Sequence, residues 1–152
     1  MKIKSDLVEL HIFNIENNEM QFLILKRSSH KIYPGLWQMV TGHIKKGETA
    51  VQTVLRELQE ETGLKPSRLW VVPNVNSFYS SEDDSITMIP VFAAQVKNDK
   101  VIISNEHSEF KWVNSKEAKT LLAWDGQRRS VDIIKEYFTD QMSFLKFTEI
   151  KL

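Results

Sequence analysis

From Asp6 to Ile15 apolar and polar residues partly alternate, Glu16-Asn17-Asn18-Glu19 interrupts, and Met20 to Lys26 resumes as an apolar run rich in strand formers. This pattern predicts a β-hairpin. Ser28 to Gly35 reads as a loop closed by Pro34-Gly35, after which Leu36 to Val40 gives a short strand running into Thr41-Gly42. The chain turns again at Lys45-Lys46-Gly47. The clearest helical signal follows, with Val51, Val54, Leu55 and Leu58 at i, i+3, i+4 and i+7 on one stripe. Thr49 is the expected N-cap, Gln52 completes a capping-box pattern, and Gly63 before Leu64-Lys65-Pro66 supplies the stop, so the helix should span Ala50 to Thr62.

Leu69 to Tyr79 and Ser85 to Val96, rich in β-branched and aromatic residues, read as a second antiparallel pair joined by the acidic turn Ser80 to Asp84. Pro73 and Pro90 inside them point to edges or bulges. Asn98-Asp99 is a predicted turn, and Val101 to Ile103 and Glu109 to Val113 are short strands. Ser115 is the expected cap of a short helix over Lys116 to Leu122, and Val131, Ile134 and Phe138 suit a closing helix over Ser130 to Phe138. Thr139 to Leu152 is open between strand and helix. With no repeat, low-complexity run or linker, residues 1–152 read as one α/β domain, a mixed sheet with flanking helices.

Composition narrows the function. The chain's 152 residues, 41% hydrophobic and 26% charged, suffice to bury a core, which excludes disorder and coiled coil. Lys plus Arg at 20 balance Asp plus Glu at 20, so no global basic field gathers nucleic acid or an anionic membrane. Any nucleotide site must be local. Cysteine is absent, which rules out thiolate metal sites and thiol nucleophiles. No stretch approaches a membrane span, and the chain is read as soluble and cytoplasmic.

On the capped helix Glu57, Glu60 and Glu61 stand at i, i+3 and i+4, so all three project from one arc beside the apolar stripe. Like charges so placed repel, and two reliefs are open. A divalent cation can bridge them, and oxygen-only ligands select a hard ion, Mg²⁺ or Mn²⁺, over zinc. Alternatively Arg56 and nearby lysines make this a solvated, salt-bridged face.

The wider spacing separates the two. Gly42 is followed after five residues by Glu48 and after seven more by Arg56-Glu57-Leu58-Gln59-Glu60-Glu61-Thr62-Gly63-Leu64. Gly42 to Leu64 thus resembles the Nudix box, G-x5-E-x7-R-E-U-x-E-E-x-G-U, at every defined position. Seven fixed residues coincide by chance on the order of 10⁻⁹ per starting position at average usage. The resemblance implies a Nudix hydrolase with that family's α/β/α sandwich, a mixed β-sheet between helices. It implies Glu57, Glu60 and Glu61 as metal ligands, with the Gly42 carbonyl approaching the metal closely where no Cβ intervenes. It further implies that Arg56 and Glu48 hold the loop and the ligand carboxylates in place one layer out. Water would attack a phosphorus of a diphosphate linkage in a small-molecule phosphoanhydride, with Mg²⁺ neutralising phosphate oxygens.

Outside the box, Leu36 to Gly42, Asn105 to Trp112 and Trp124-Asp125-Gly126-Gln127-Arg128 resemble the branch that includes dATP pyrophosphohydrolase, also described as dihydroneopterin triphosphate pyrophosphatase. Diadenosine polyphosphate hydrolases share the Glu-His segment but usually carry Pro-Pro-Lys-Gly where this chain has Met39-Val40-Thr41-Gly42. In that setting Glu106 is the candidate for a further ligand or the general base, with an exposed loop acid as the alternative and Glu109 as competitor. His107 is read as a packed or capping residue before a proton shuttle. Arg27 is preferred to Lys26 as the phosphate contact for its planar fork, a solvated strand end being the alternative. Arg128 and Arg129 either contact substrate or pair with Asp125 or Asp132. Trp37, Phe78, Tyr79 and Trp124 are candidate ring platforms, each equally a core residue, and Gln38 can read a ring edge. The competing functions are a dinucleoside polyphosphate or nucleotide-sugar hydrolase and a non-catalytic nucleotide sensor. No nucleic-acid polymer or membrane partner is expected, and monomer and homodimer stay open.

Overall fold

The computed structural model describes residues 1–97 and 100–152. The turn expected at Asn98-Asp99 lies outside the described residues. The first hairpin forms as β2 (Leu7–Glu16) and β3 (Glu19–Arg27), preceded by a short β1 (Lys2–Lys4) that the alternation did not reveal. The strand expected over Leu36 to Val40 divides at Met39. Its first part is β4 (Trp37–Gln38) on β3, its second β5 (Val40–His43) on β2. Met39 itself turns its N–H to Gln127 Oε1 at 3.1 Å.

Helix α1 (Ala50–Thr62) has both capping-box bonds between Thr49 and Gln52 and ends at Gly63 with φ 70°. The long pair is β6 (Arg68–Ser80) and β7 (Ser85–Gln95), whose register shifts between Val72 and Val75, around Pro73. Pro90 falls where β7 passes from pairing β1, which ends at Thr87, to pairing β2, which begins at Val91, so no ladder bond is lost.

Several expectations are corrected. Val101 to Ile103 is not a strand; Ile102 N–H bonds the Thr62 carbonyl at the end of α1, so this segment closes the helix rather than joining the sheet. β8 (His107–Val113) starts two residues before Glu109. Asn114, not Ser115, caps α2 (Ser115–Leu121), its side-chain Oδ1 accepting from Glu117 N–H at 2.8 Å. α3 (Asp125–Thr139) begins five residues before Ser130, because Arg128 braces its start against the Leu122 and Ala123 carbonyls. The C-terminal stretch takes both open options: a 3₁₀ helix over Met142–Phe147, then β9 (Glu149–Ile150) on β6.

The sheet runs β4-β3-β2-β7-β6-β9, with β2 and β7 parallel and the hairpins antiparallel. Alternation sends Val8, Leu10, Ile12, Leu23 and Leu25 to the face that Val54 and Leu58 of α1 cover. Phe13, Phe22 and Ile24 point to the other face, under Ala118 of α2 and Val131 and Ile134 of α3. Two cores on two faces make an α/β/α sandwich.

Candidate active site

The box residues are assembled by local geometry. Glu57 and Glu61 are buried at 9% and 5% exposure because α1 presses that side onto the sheet, whereas Glu60, one position off, is exposed. Gly42 lies in β5 opposite Val8, directly under Glu57. A Cβ at Gly42 would stand 2.3 Å from Glu57 Cγ and 2.5 Å from its Oε1. Space, not backbone conformation, demands glycine here. Gly42→Ala is expected to displace the Glu57 carboxylate and lower kcat roughly 10–100-fold, the scale for disturbing a ligand's support, while circular dichroism stays that of the wild type.

Arg56 is the hub of the polar contacts. Its Nε and Nη2 grip both oxygens of Glu48 at 2.7 and 2.9 Å, and Nη2 also donates to the His43 carbonyl at 3.0 Å. Nη1 bridges Glu57 Oε1 at 2.7 Å and Glu60 Oε2 at 3.2 Å. Glu48 also accepts from Lys45 N–H and the Thr53 hydroxyl, and Arg56 with these donors holds its carboxyl at about 2. The bracket formed by Arg56 and Glu48 fastens the loop from Gly42 to the helix. Burial pushes the Glu57 carboxyl up, against the Arg56 contact, and the charges of Glu60 and Glu61 add to the rise.

Glu61 is met from the other side. Its Oε2 accepts from the Ser104 hydroxyl at 2.7 Å and contacts His107 Nδ1 at 3.0 Å; burial raises its carboxyl, but these contacts outweigh it and the net shift is downward. Glu106 is tied to the same group through its N–H, which donates to the Ser104 hydroxyl at 3.3 Å, and Lys31 Nζ stands 3.3 Å from its Oε1. Glu57, Glu60 and Glu61 thus line one side of α1, with Glu106 joined to Glu61 through Ser104. Among the described residues no three of them converge closely enough to hold a metal as they stand, since Arg56 occupies the space between Glu57 and Glu60. Glu57 Oε2 and Glu60 Oε1 have no hydrogen-bond partner among the described residues. An all-oxygen set with open lone pairs, over a strand residue too close to Glu57 to carry a Cβ, fits a hard divalent cation.

The other expected residues divide. Gln38 is 6% exposed and its amide lies 3.4 Å from His107 Nε2, so it joins the Glu61 cluster. Trp37 beside it is half-buried, with the ammonium groups of Lys111 and Lys26 at 5.1 and 5.9 Å from its ring. Arg27 Nε donates to the Ile32 carbonyl at 2.8 Å, bracing the loop before β4. Arg128 holds the start of α3 and pairs with Asp125 at 3.4 Å, while Trp124 stacks edge-on with Tyr33. Tyr79 stands near the tip of the β6–β7 hairpin, bonded to Asp84, and Phe78 beside it is half exposed; among the described residues no hydrogen bond or ion pair links either to the carboxylates. Glu109 pairs with Lys26 rather than with the cluster. Lys31 and Ser104 were missed, because neither carries a motif and each is placed by sheet register.

Residues 8–136 match the NUDIX domain. The chain belongs to the Nudix family. Nudix hydrolases split phosphoric anhydrides and generally use divalent metal ions, and this chain is a Nudix hydrolase. It is 31% identical over 121 residues to the asymmetrical bis(5'-nucleosyl)-tetraphosphatase of Rattus norvegicus, covering 77% of this chain and 80% of that one. It is 32% identical over 113 residues to isopentenyl-diphosphate Delta-isomerase of Salmonella heidelberg, covering 70% and 62%. The E. coli dihydroneopterin triphosphate pyrophosphohydrolase shares the fold, with TM-score 0.69 and 20% identity over 87% of this chain and 99% of that one. No helix among the described residues is long and apolar enough to cross a membrane.

Proposed function

We propose that this Nudix hydrolase is a Mg²⁺-dependent pyrophosphohydrolase, with Mn²⁺ as a substitute, acting on a nucleoside triphosphate or dihydroneopterin triphosphate. Water attacks phosphorus, one P–O–P linkage breaks, and a monophosphate and pyrophosphate leave. The observation that carries this reading is the seating of Glu57 directly over Gly42, with Glu60 and Glu61 on the same arc of α1 and Glu106 joined to Glu61 through the Ser104 hydroxyl. Glu57, Glu60 and Glu61, with the Gly42 carbonyl, would hold the ion. Bound there, it supplies charge neutralisation for the phosphate oxygens and a lowered pKa for the attacking water. Glu106 is either a further ligand or the group that takes the proton from that water. Arg56 and Glu48 keep the ligand carboxylates in register, and Lys31 adds a cation beside Glu106. Trp37, on the α2–α3 side of β4, is the platform proposed for a purine or pterin ring, and Gln38, on the α1 side, the proposed polar contact. β1 and β9 both pair within the one sheet, which supports reading residues 1–152 as one domain.

The kinship with the rat tetraphosphatase favours a second reading, a dinucleoside polyphosphate substrate. Product analysis with Mg²⁺ against dATP, other nucleoside triphosphates, dihydroneopterin triphosphate, diadenosine tetraphosphate and ADP-ribose separates the two. Pyrophosphate released from a triphosphate is the expected result. Cleavage confined to the tetraphosphate moves the chain to the second reading, and tight binding without turnover makes it a sensor.

A further inference from the structure

The loop from Ser104 to His107 is pinned more firmly than a surface connection requires. Ser28 donates its N–H to the Glu106 carbonyl at 3.0 Å and its hydroxyl to the Asn105 carbonyl at 2.8 Å, tying the loop to the end of β3. Within it, the Ser104 hydroxyl accepts from Glu106 N–H at 3.3 Å while donating to Glu61 Oε2 at 2.7 Å. His107 is only 6% exposed, and its ring has polar partners at both nitrogens, Glu61 Oε2 at 3.0 Å and the Gln38 amide at 3.4 Å. The geometry suits a ring that donates from Nδ1 to Glu61 and accepts at Nε2 from the Gln38 amide. Ser104 and His107 thus converge on the same oxygen of Glu61.

We propose that Ser104 and His107 are positioning residues that fix Glu61 by clamping its Oε2, leaving Oε1 as the oxygen offered to the metal ion. This rests on the reading of Glu61 as a ligand. A carboxylate on a helix otherwise swings between rotamers, and each rotamer lost before binding is entropy not lost during it. The clamp also sets the distance between Glu61 and Glu106, because the Ser104 hydroxyl touches the former's carboxylate and the latter's backbone. His107 therefore acts through Glu61, neither on substrate nor as a proton carrier. Gln38 in turn fixes the His107 ring.

The test is a Mn²⁺ titration followed by electron paramagnetic resonance, which reads ion affinity without turnover. His107→Ala is expected to weaken Mn²⁺ binding about tenfold or more, the scale for losing a partner of a ligand. His107→Asn, whose amide nitrogen falls near the Nδ1 position, should restore most of the loss, a rescue that a packing role would not give. Ser104→Ala should weaken binding in the same direction, and this partly exposed site carries the test if the alanine at 107 does not fold. Glu61→Gln distinguishes the two levels. Weak binding in Glu61→Gln with wild-type affinity in His107→Ala and Ser104→Ala overturns the clamp and leaves the ligand reading intact. Wild-type affinity in Glu61→Gln overturns both.

Discussion

Glu57→Gln is expected to lose metal-dependent turnover by more than about a hundredfold, beyond the 10–100-fold typical of residues that only support a ligand. The substitution is nearly isosteric. It keeps the contact with the Gly42 backbone and leaves an amide oxygen for Arg56, so the fold and the helix should persist. What it removes is the charge of a carboxylate buried against the sheet, directly over Gly42. Steady-state kinetics over a range of Mg²⁺ concentrations checks it. A kcat unchanged at saturating metal would remove Glu57 from the metal site.

Trp70→Ala is expected to cost about 3–5 kcal/mol of stability, the usual range for deleting a fully buried large aromatic. Trp70 is 1% exposed on the α3 side of the sheet, 4.8 Å from the Phe138 ring in an edge-on pair and 6.0 Å from Phe13. It joins β6, β2 and the end of α3 in one contact. Its Nε1 has no hydrogen-bond partner among the described residues, so Trp70→Phe removes a buried donor along with some volume and should cost under about 1.5 kcal/mol. Urea unfolding measures both. Because the carboxylates lie on the α1 side of the sheet, the folded fraction of Trp70→Ala should retain wild-type kcat; a loss of kcat with stability preserved would contradict this separation.

These two residues also mark what can be read from a linear sequence. Local chemistry was legible: Thr49 and Gln52 at the start of α1, Gly63 at its end, and the spacing from Gly42 to Leu64 depend on neighbours within a few turns. The alternation in β2 and β3 likewise announced which side chains enter which core. Contacts set by register were not legible. His107 and Glu61 are 46 positions apart and Lys31 and Glu106 are 75 apart, and nothing in either segment specifies the other. They meet because β8 pairs with β3, and the Arg27 partner in that ladder is His107 itself. Val101 to Ile103 misled for a related reason, since Val101 and Ile103 pack at a core edge as β-branched residues would in a strand, while Ile102 stays exposed. Asn114 is the cap in place of Ser115 because its backbone is extended, at φ −71° and ψ 170°, and sends its Oδ1 to Glu117 N–H, while Ser115 is already in the helix.

Anomalous diffraction from crystals soaked in Mn²⁺ tests the central claim most directly. The expected result is a peak bound by oxygens of Glu57 and Glu61 beside the Gly42 carbonyl, with Arg56 Nη1 released from at least one of Glu57 and Glu60. A fully occupied peak elsewhere, with Arg56 still bridging both carboxylates, would contradict it.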